Sequence, residues 1–233
     1  MKTTKTITSA SYSRLLDFES CRFRAYLKHV ERIPDPRPSP ASDRGTAIHQ
    51  GCEDWMRGKQ PEAPKEATKH FKDEMISLKK HFDSGIVSLE GDWGFDRNWQ
   101  PTDWKTAWFR MKLDAMVRLT KTHAVPIDYK SGRRFGNEIK HGEQLQLYAM
   151  ATFIREPEVE TITTELWYFD QNELATMTVT RAQGLRCLKG FDNRARKMTE
   201  ATTFPPNPNA YSCRWCPFKP ETLGGTGHCT VGV

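Results

Sequence analysis

The sequence predicts an α/β fold with a mixed central β-sheet flanked by helices. Two observations lead there. Apolar residues recur at helical spacing over residues 11–29, 43–57, 64–82, 141–155 and 181–199. Between those stretches, residues 86–129 and 161–180 are rich in aromatic and β-branched residues broken by turn-like sequences. The order is helices, strands, helix, strands, helix, which suits an α/β domain with a mixed sheet.

Each element has its own signal. In residues 11–29, Ser11 or Ser13 can cap a helix that carries Leu15, Leu16, Phe18, Phe23, Tyr26 and Leu27. Residues 33–42 form a loop, because prolines alternating with other residues exclude helix and central strand. A second helix over 43–57 holds Ile48, Cys52, Trp55 and Met56 and ends before Gly58 and Pro61. A more polar helix follows over 64–82. Strands are expected at 86–89, 93–99, 104–119 and 124–129, with turns at GDWG and LTKTH. The helix over 141–155 puts Leu145, Tyr148, Ala149, Thr152 and Phe153 on one face. Residues 161–170 and 173–180 read as a hairpin about Gln171 and Asn172. A basic helix over 181–199 carries Arg181, Arg186, Lys189, Arg194, Arg196 and Lys197, and a Pro-rich passage leads to a Cys-containing tail.

Composition narrows the function classes. At 233 residues, 37% of them hydrophobic and 11% aromatic, the chain is long and apolar enough to bury a core. One domain over 1–233 is expected: a helical part at about 11–60, a core at 86–180, and the basic helix and tail at 181–233. With 27% charged residues and a mean hydropathy of −0.70, no stretch approaches the roughly 18 apolar residues of a membrane span. MKTTKTITSA has no apolar core for a secretory signal, so a cytoplasmic protein without a membrane partner is expected, in the host cytoplasm if the source is viral. The net charge of +6 and pI near 9.0 fit a polyanionic partner such as nucleic acid.

The sharpest local pattern is IDYKSG at 127–132. Asp128 and Lys130 are two apart, so on a strand they project to one face. Asp128 can ligate a hard cation; Lys130 can orient a water or stabilise charge at phosphorus. The Tyr129 carbonyl lies between them. Upstream, MKLDAM sets Asp114 among apolar residues, where a carboxylate is costly unless paired or metal-bound. RGTAIHQGCE puts His49 and Glu53 on one helical face, and GEQLQLYA does the same for Gln144 and Tyr148. Taken singly, each has an ordinary reading as an ion pair, a core histidine or a helix-surface pair. No Ser/His/Asp arrangement stands out, and G-x-x-x-x-G-K-[ST] is absent, so no ATP motor is expected.

The series GTAIH, KLD, DYKSG, QLQLY resembles the RecB-like branch of the PD-(D/E)XK nuclease superfamily. The resemblance runs from about Ser11 to Cys229. It is closest to stand-alone, phage-type relatives of the CRISPR-associated iron–sulfur RecB-like exonucleases. It implies a restriction-endonuclease-like core and a metal-dependent DNA exonuclease. His49, Asp114, Asp128 and the Tyr129 carbonyl would be ligands for Mg²⁺ or Mn²⁺, with Glu53 a further candidate. Lys130 would be the catalytic lysine, and Gln144 and Tyr148 would hold the site and the DNA. The substrate would be linear DNA, single-stranded or with free ends, and a homo-oligomer stays open. Recombination, DNA degradation and CRISPR-related processing are all compatible pathways.

Six cysteines in a chain without a secretion signal read as metal ligands before disulfides. Cys213, Cys216 and Cys229 in the tail leave a tetrahedral site one ligand short, and His228 is awkwardly adjacent to Cys229. The resemblance supplies Cys21 as the fourth ligand of a structural 4Fe–4S cluster joining the N-terminal helices to the tail. Zn²⁺ is the alternative occupant. Cys52 and Cys187 sit in helical patterns as core residues. Two other functions compete: an endonuclease or DNA-end processing nuclease, and a non-catalytic nucleic-acid-binding protein with a zinc-bound tail.

Overall fold

A computed structural model describes residues 5–37, 39–132 and 134–233, and all of their side chains but that of Glu90. The first four residues and Pro38 of the proline-rich loop lie outside the described residues. The helices are α1 (Tyr12–Ser20), α2 (Arg22–His29), α3 (Pro40–Met56), α4 (Lys65–Asp83), α5 (Glu138–Arg155), α6 (Arg181–Leu185), α7 (Leu188–Thr199) and α8 (Ala210–Arg214). The strands are β1 (Val87–Phe95), β2 (Pro101–Thr102), β3 (Phe109–Arg118), β4 (His123–Lys130), β5 (Thr161–Tyr168) and β6 (Glu173–Thr180). They form one sheet in the order β2-β1-β3-β4-β5-β6. Only β4 and β5 run parallel among these pairs, with α5 as their crossover, so the sheet is mixed as expected.

Alternation along β4 builds two layers. Val125, Ile127 and Tyr129 pack with Ile48 and Cys52 of α3, Phe71 and Met75 of α4, and Trp167. Ala124 turns the other way, against Ala149 and Phe153 of α5. Phe71 stacks on Trp167 with ring centroids 5.5 Å apart. A third cluster joins α1 and α7 to the sheet through Leu15, Phe18, Trp108, Phe109, Phe191 and Met198. Burying one such large apolar side chain contributes about 1.5–3 kcal/mol. Among the described residues, no helix is long and apolar enough to cross a membrane.

Several boundaries differ from the sequence reading for identifiable reasons. The helix expected over 11–29 breaks at Cys21, which is extended (φ −160°, ψ 115°) and serves as the junction of α1 and α2. α3 begins earlier than expected, at Pro40, because the first helical position tolerates a missing N–H. GDWG is no turn: Gly91 to Gly94 pair continuously with β3 inside β1. The basic helix is two helices, α6 and α7. Pro126 lies within the central strand β4, where it removes a donor. The β4–β5 ladder accordingly pairs at 123–124 and 127–130 but skips Val125 and Pro126.

Candidate active site

The β3–β4 ladder ends at Ala115 and Ile127. Continuing that register, the next residues are Asp114 and Asp128, which have no place in the ladder. Asp114 replaces the lost backbone partner with its side chain: Oδ2 accepts from the Tyr129 N–H at 2.6 Å. Its Oδ1 lies 2.7 Å from Nδ1 of His49, supplied by α3. The approach of α3 depends on Gly45, one turn before His49, where an added Cβ would come 3.0 Å from Ser131 Oγ. Asp114 and His49 therefore meet at the point where two strands part.

Asp128 and Lys130 share the α5 side of β4, as the two-residue spacing predicts. Lys130 Nζ is 2.6 Å from Asp128 Oδ2 and donates to Gln144 Oε1 at 2.9 Å. The Tyr148 hydroxyl donates to Asp128 Oδ1 at 2.5 Å, and the Gln144 amide donates to the Tyr148 oxygen. Gln144 and Tyr148, one helical turn apart on α5, thus hold both members of the D-x-K pair. Glu53 stands elsewhere in the hydrogen-bond pattern: it pairs with Arg57 at 2.6 Å, one turn further along α3.

Burial is the largest influence on the electrostatics of Asp114 and His49. Burial raises the Asp114 carboxyl above the usual carboxylate range, and the charge on Asp128 adds to it, against the opposing pull of His49 and the Tyr129 N–H. Burial pushes His49 down, but its hydrogen bond to Asp114 and the neighbouring carboxylate charges outweigh this and raise it. Burial, then Asp128, holds the Tyr148 phenol well above its ordinary value, so it remains a donor. Asp128 Oδ2 is buried and has no aligned hydrogen-bond donor among the described residues. A buried carboxylate with an under-donated oxygen, a half-buried carboxylate and a histidine fit a divalent cation with oxygen and imidazole ligands. Among the described residues, no three His, Cys, Asp or Glu side chains stand as a ready-made ion-holding group. The cleft carboxylates are instead paired with His49 and Lys130.

His49, Asp114, Asp128, Gln144 and Tyr148 line a cleft of about 730 Å³ that runs from α1 past α3 to α5. Several of its residues went unread in the sequence. His141, one turn before Gln144, places Nδ1 2.6 Å from the Tyr168 hydroxyl; burial, then Lys130, lowers its pKa. Its i, i+3 spacing from Gln144 was the available signal. Arg110 and Lys112 alternate with Asp114 along β3, and both cations lie over the Trp104 ring. Tyr12 donates to the Lys140 carbonyl at 2.7 Å, tying α1 to the start of α5.

The cysteines fall in three places, and Cys187, expected in the core, is only partly buried at the start of α7. Cys21, Cys213, Cys216 and Cys229 line one small cavity between the α1–α2 junction and the tail. All four are free thiols, and the three tail cysteines are buried. Burial raises the Cys216 thiol, and the nearby Cys21 and Cys229 add to this, while the Phe218 N–H and Arg24 oppose it. The Asn207 N–H lies 3.4 Å from Cys21 Sγ. His228 does not line the cavity; its Nδ1 is 2.7 Å from Thr226 Oγ1. Cys52 lies in the α3–α4 core, where burial pushes its thiol far up.

Three arginines of the basic stretch over 181–199 are committed to partners within the protein. Arg181 donates to the carbonyls of Phe153, Glu156 and Val159. Arg194 pairs with Glu19 and Glu143, and Arg196 with Asp192.

No curated protein matches the sequence significantly. Among solved structures, SSO0001 is similar at 14% identity with a TM-score of 0.47, over 100% of this chain and 91% of that one. A candidate exonuclease from Eubacterium rectale is similar at 12% identity and TM-score 0.46, over 86% of this chain and 84% of that one. An alkaline exonuclease from Laribacter hongkongensis is similar at 13% identity and TM-score 0.35, over 84% and 88% respectively. The family model of the PD-(D/E)XK nuclease superfamily matches residues 9–220, nearly the whole chain and all of the cleft residues just described, and the chain belongs to that superfamily.

Proposed function

We propose that the protein is a Mg²⁺- or Mn²⁺-dependent DNA exonuclease of the RecB-like branch. The observation that carries this reading is the convergence of His49, Asp114, Asp128, Lys130, Gln144 and Tyr148 at the parting of β3 and β4. His49, Asp114, Asp128 and the Tyr129 carbonyl would hold the metal; Glu53 is engaged by Arg57. When bound, the metal supplies Lewis-acid activation of the phosphate and of a water. Lys130, held by Asp128 and Gln144, orients the attacking water and offsets charge gathering on the phosphorus oxygens. Tyr148 fixes the Asp128 carboxylate through its hydroxyl. The walls of the cleft bring the scissile phosphate to these groups and limit its motion.

Cys21, Cys213, Cys216 and Cys229 are proposed to hold a structural 4Fe–4S cluster. Four thiols line one cavity, the number in the usual shell of this cluster, though among the described residues no three of them stand close enough together to hold an ion; His228 is engaged by Thr226. Hydrolysis needs no electron transfer, so the cluster would act on stability. A digestion time course on end-labelled linear DNA and closed circular DNA, with Mg²⁺, Mn²⁺ or EDTA, tests the activity. Loss of end-labelled DNA only with metal is expected. Efficient cutting of closed circles would make the enzyme an endonuclease, and no cutting of either would leave a binding protein.

A further inference from the structure

β4 and β5 run parallel in the register Asp128↔Leu166 and Lys130↔Tyr168, so Tyr168 stands beside Lys130 on the face that α5 covers. Tyr168 is 1% exposed, and its hydroxyl meets one partner among the described residues, Nδ1 of His141 at 2.6 Å. Burial, with Asp128 adding to it and Arg134 opposing it, raises the phenol to about 12, so it keeps its proton and needs an acceptor. His141, Gln144 and Tyr148 follow one another at i, i+3 and i+7 along α5, the spacing of one helical face. Gln144 and Tyr148 hold Lys130 and Asp128. His141 lines the same cleft and bonds neither of them among the described residues.

The tautomer of His141 follows from its partner. A buried phenol donates its proton where an acceptor is at hand, so Nδ1 accepts and the ring proton sits on Nε2. Nε2 has no partner among the described residues and is not sealed from solvent, which leaves it for the cleft. Burial, then Lys130, lowers the imidazole below its ordinary value; Lys140 adds to this, while Asp128 and Glu138 oppose it. The ring is therefore neutral at pH 7.

We propose that His141 is a catalytic residue whose Nε2–H donates to a non-bridging oxygen of the scissile phosphate, and that Tyr168 is the positioning residue that fixes this tautomer. The proposal rests on the nuclease reading. In hydrolysis the water oxygen bonds to phosphorus as the P–O bond to the departing strand breaks, and a donor already in place stabilises charge on the phosphate oxygens. A neutral imidazole does this without setting a second cation beside Lys130. It keeps its proton throughout, so no proton transfer is assigned to it.

Two readouts test this. Nitrogen-15 spectra of histidine-labelled protein in EDTA at pH 7 read the tautomer, and the signal among seven histidines that is lost in His141→Gln assigns it. A single Nε2–H form is expected in the wild type and a mixture of both tautomers in Tyr168→Phe. Single-turnover rates with Mg²⁺ on saturating end-labelled DNA read the chemical step. His141→Ala should lower the rate about 10²-fold. His141→Gln, whose amide nitrogen reaches close to the place of Nε2, should recover about tenfold of that loss. His141→Asn, whose amide reaches only the place of Nδ1, should recover none. Should the alanine variant misfold, the comparison of Gln with Asn carries the result. An Nδ1–H tautomer in the wild type, a rate within about twofold of wild type in His141→Ala, or equal rates in the Gln and Asn variants would overturn the proposal. A wild type that binds DNA but hydrolyses none would overturn the nuclease reading and the proposal with it, and is told apart because the unmutated protein is itself inert.

Discussion

The Asp114 carboxylate accepts the main-chain N–H of Tyr129 at 2.6 Å, one residue beyond the last β3–β4 pair. The carboxylate thus performs the work of a ladder hydrogen bond while its other oxygen faces His49. This dual role separates two effects of mutation. Asp114→Ala should abolish cleavage and also leave a buried N–H without an acceptor, costing about 1–3 kcal/mol of stability. Asp114→Asn should abolish cleavage equally but keep most of the stability, because the amide oxygen still accepts. Urea melts and end-label release on the two variants check this; equal stability loss in both would show that the N–H bond is not what Asp114 supplies to the fold.

Asp128→Ala and Lys130→Ala should each lower the hydrolysis rate by on the order of 10²–10⁴. Lys130 is the cleaner case, since its ammonium contacts only Asp128 and Gln144 among the described residues. Single-turnover rates on saturating DNA isolate the chemical step from binding. Near wild-type turnover in either purified, folded variant would reject the active-site assignment.

In the proposed site Tyr148 would act through Asp128, as a positioning residue. Tyr148→Phe removes the donor to Asp128 Oδ1 and the acceptor of the Gln144 amide. A loss of about 1.5–3 kcal/mol in stability is expected from a buried hydrogen bond between a neutral and a charged group. The rate at saturation should fall while the affinity for DNA in EDTA stays put. Weakened binding with an unchanged rate would instead place Tyr148 against the DNA.

The site was legible in the sequence where periodicity translates directly into geometry. Asp128 with Lys130 follows from the two-residue repeat of a strand, and Gln144 with Tyr148 from the four-residue repeat of a helix. His49 meeting Asp114 was not legible from spacing, because it depends on α3 crossing close to Ser131 over Gly45. The break at Cys21 hid for the opposite reason: the apolar pattern runs straight through it, and only tertiary contacts of α2 turn the chain. GDWG misled because its glycines look like a turn. In the fold Gly94 lets β1 and β2 approach closely, with an added Cβ only 2.7 Å from the Thr102 carbonyl. For the basic stretch, charge composition cannot distinguish an arginine facing solvent from Arg181, which donates to carbonyls of neighbouring elements.

Acid stability should carry the signature of Asp17. Burial alone would raise this carboxyl, but hydrogen bonds from His29 and Lys28 and the charges of Lys28 and Arg24 outweigh it and bring the value to about 2. A folded value below the unfolded one, near 3.9, means that the ionised form favours the fold. The contribution is full above about pH 4 and is lost as pH falls through about 2; its size is about 2–3 kcal/mol. Asp17→Asn should be less stable than wild type at pH 7, with the difference shrinking towards pH 2. A difference that is constant across that range would exclude the carboxylate as its source.

The cysteines make a prediction that separates stability from catalysis. Cys21 joins α1 to α2, while Cys213, Cys216 and Cys229 belong to the tail, about 190 residues away. Linking such distant points restricts the unfolded chain by a loop-closure entropy worth roughly 4–5 kcal/mol. With the proposed cluster, the wild type should be brown, and Cys21→Ser should lose that colour and much of the stability, with hydrolysis declining only in step with the folded fraction. Cys52→Ser should keep the colour, because Cys52 lies in the α3–α4 core, where burial disfavours its thiolate. Its effect on stability is that of a small buried side chain. Iron, acid-labile sulfide and zinc are measured on anaerobically purified protein, alongside urea melts of each variant. Four irons per chain in the wild type and none in Cys21→Ser are expected. One zinc and no iron, with the zinc retained in Cys21→Ser, would confine the metal to the tail and remove the link between the two ends of the chain.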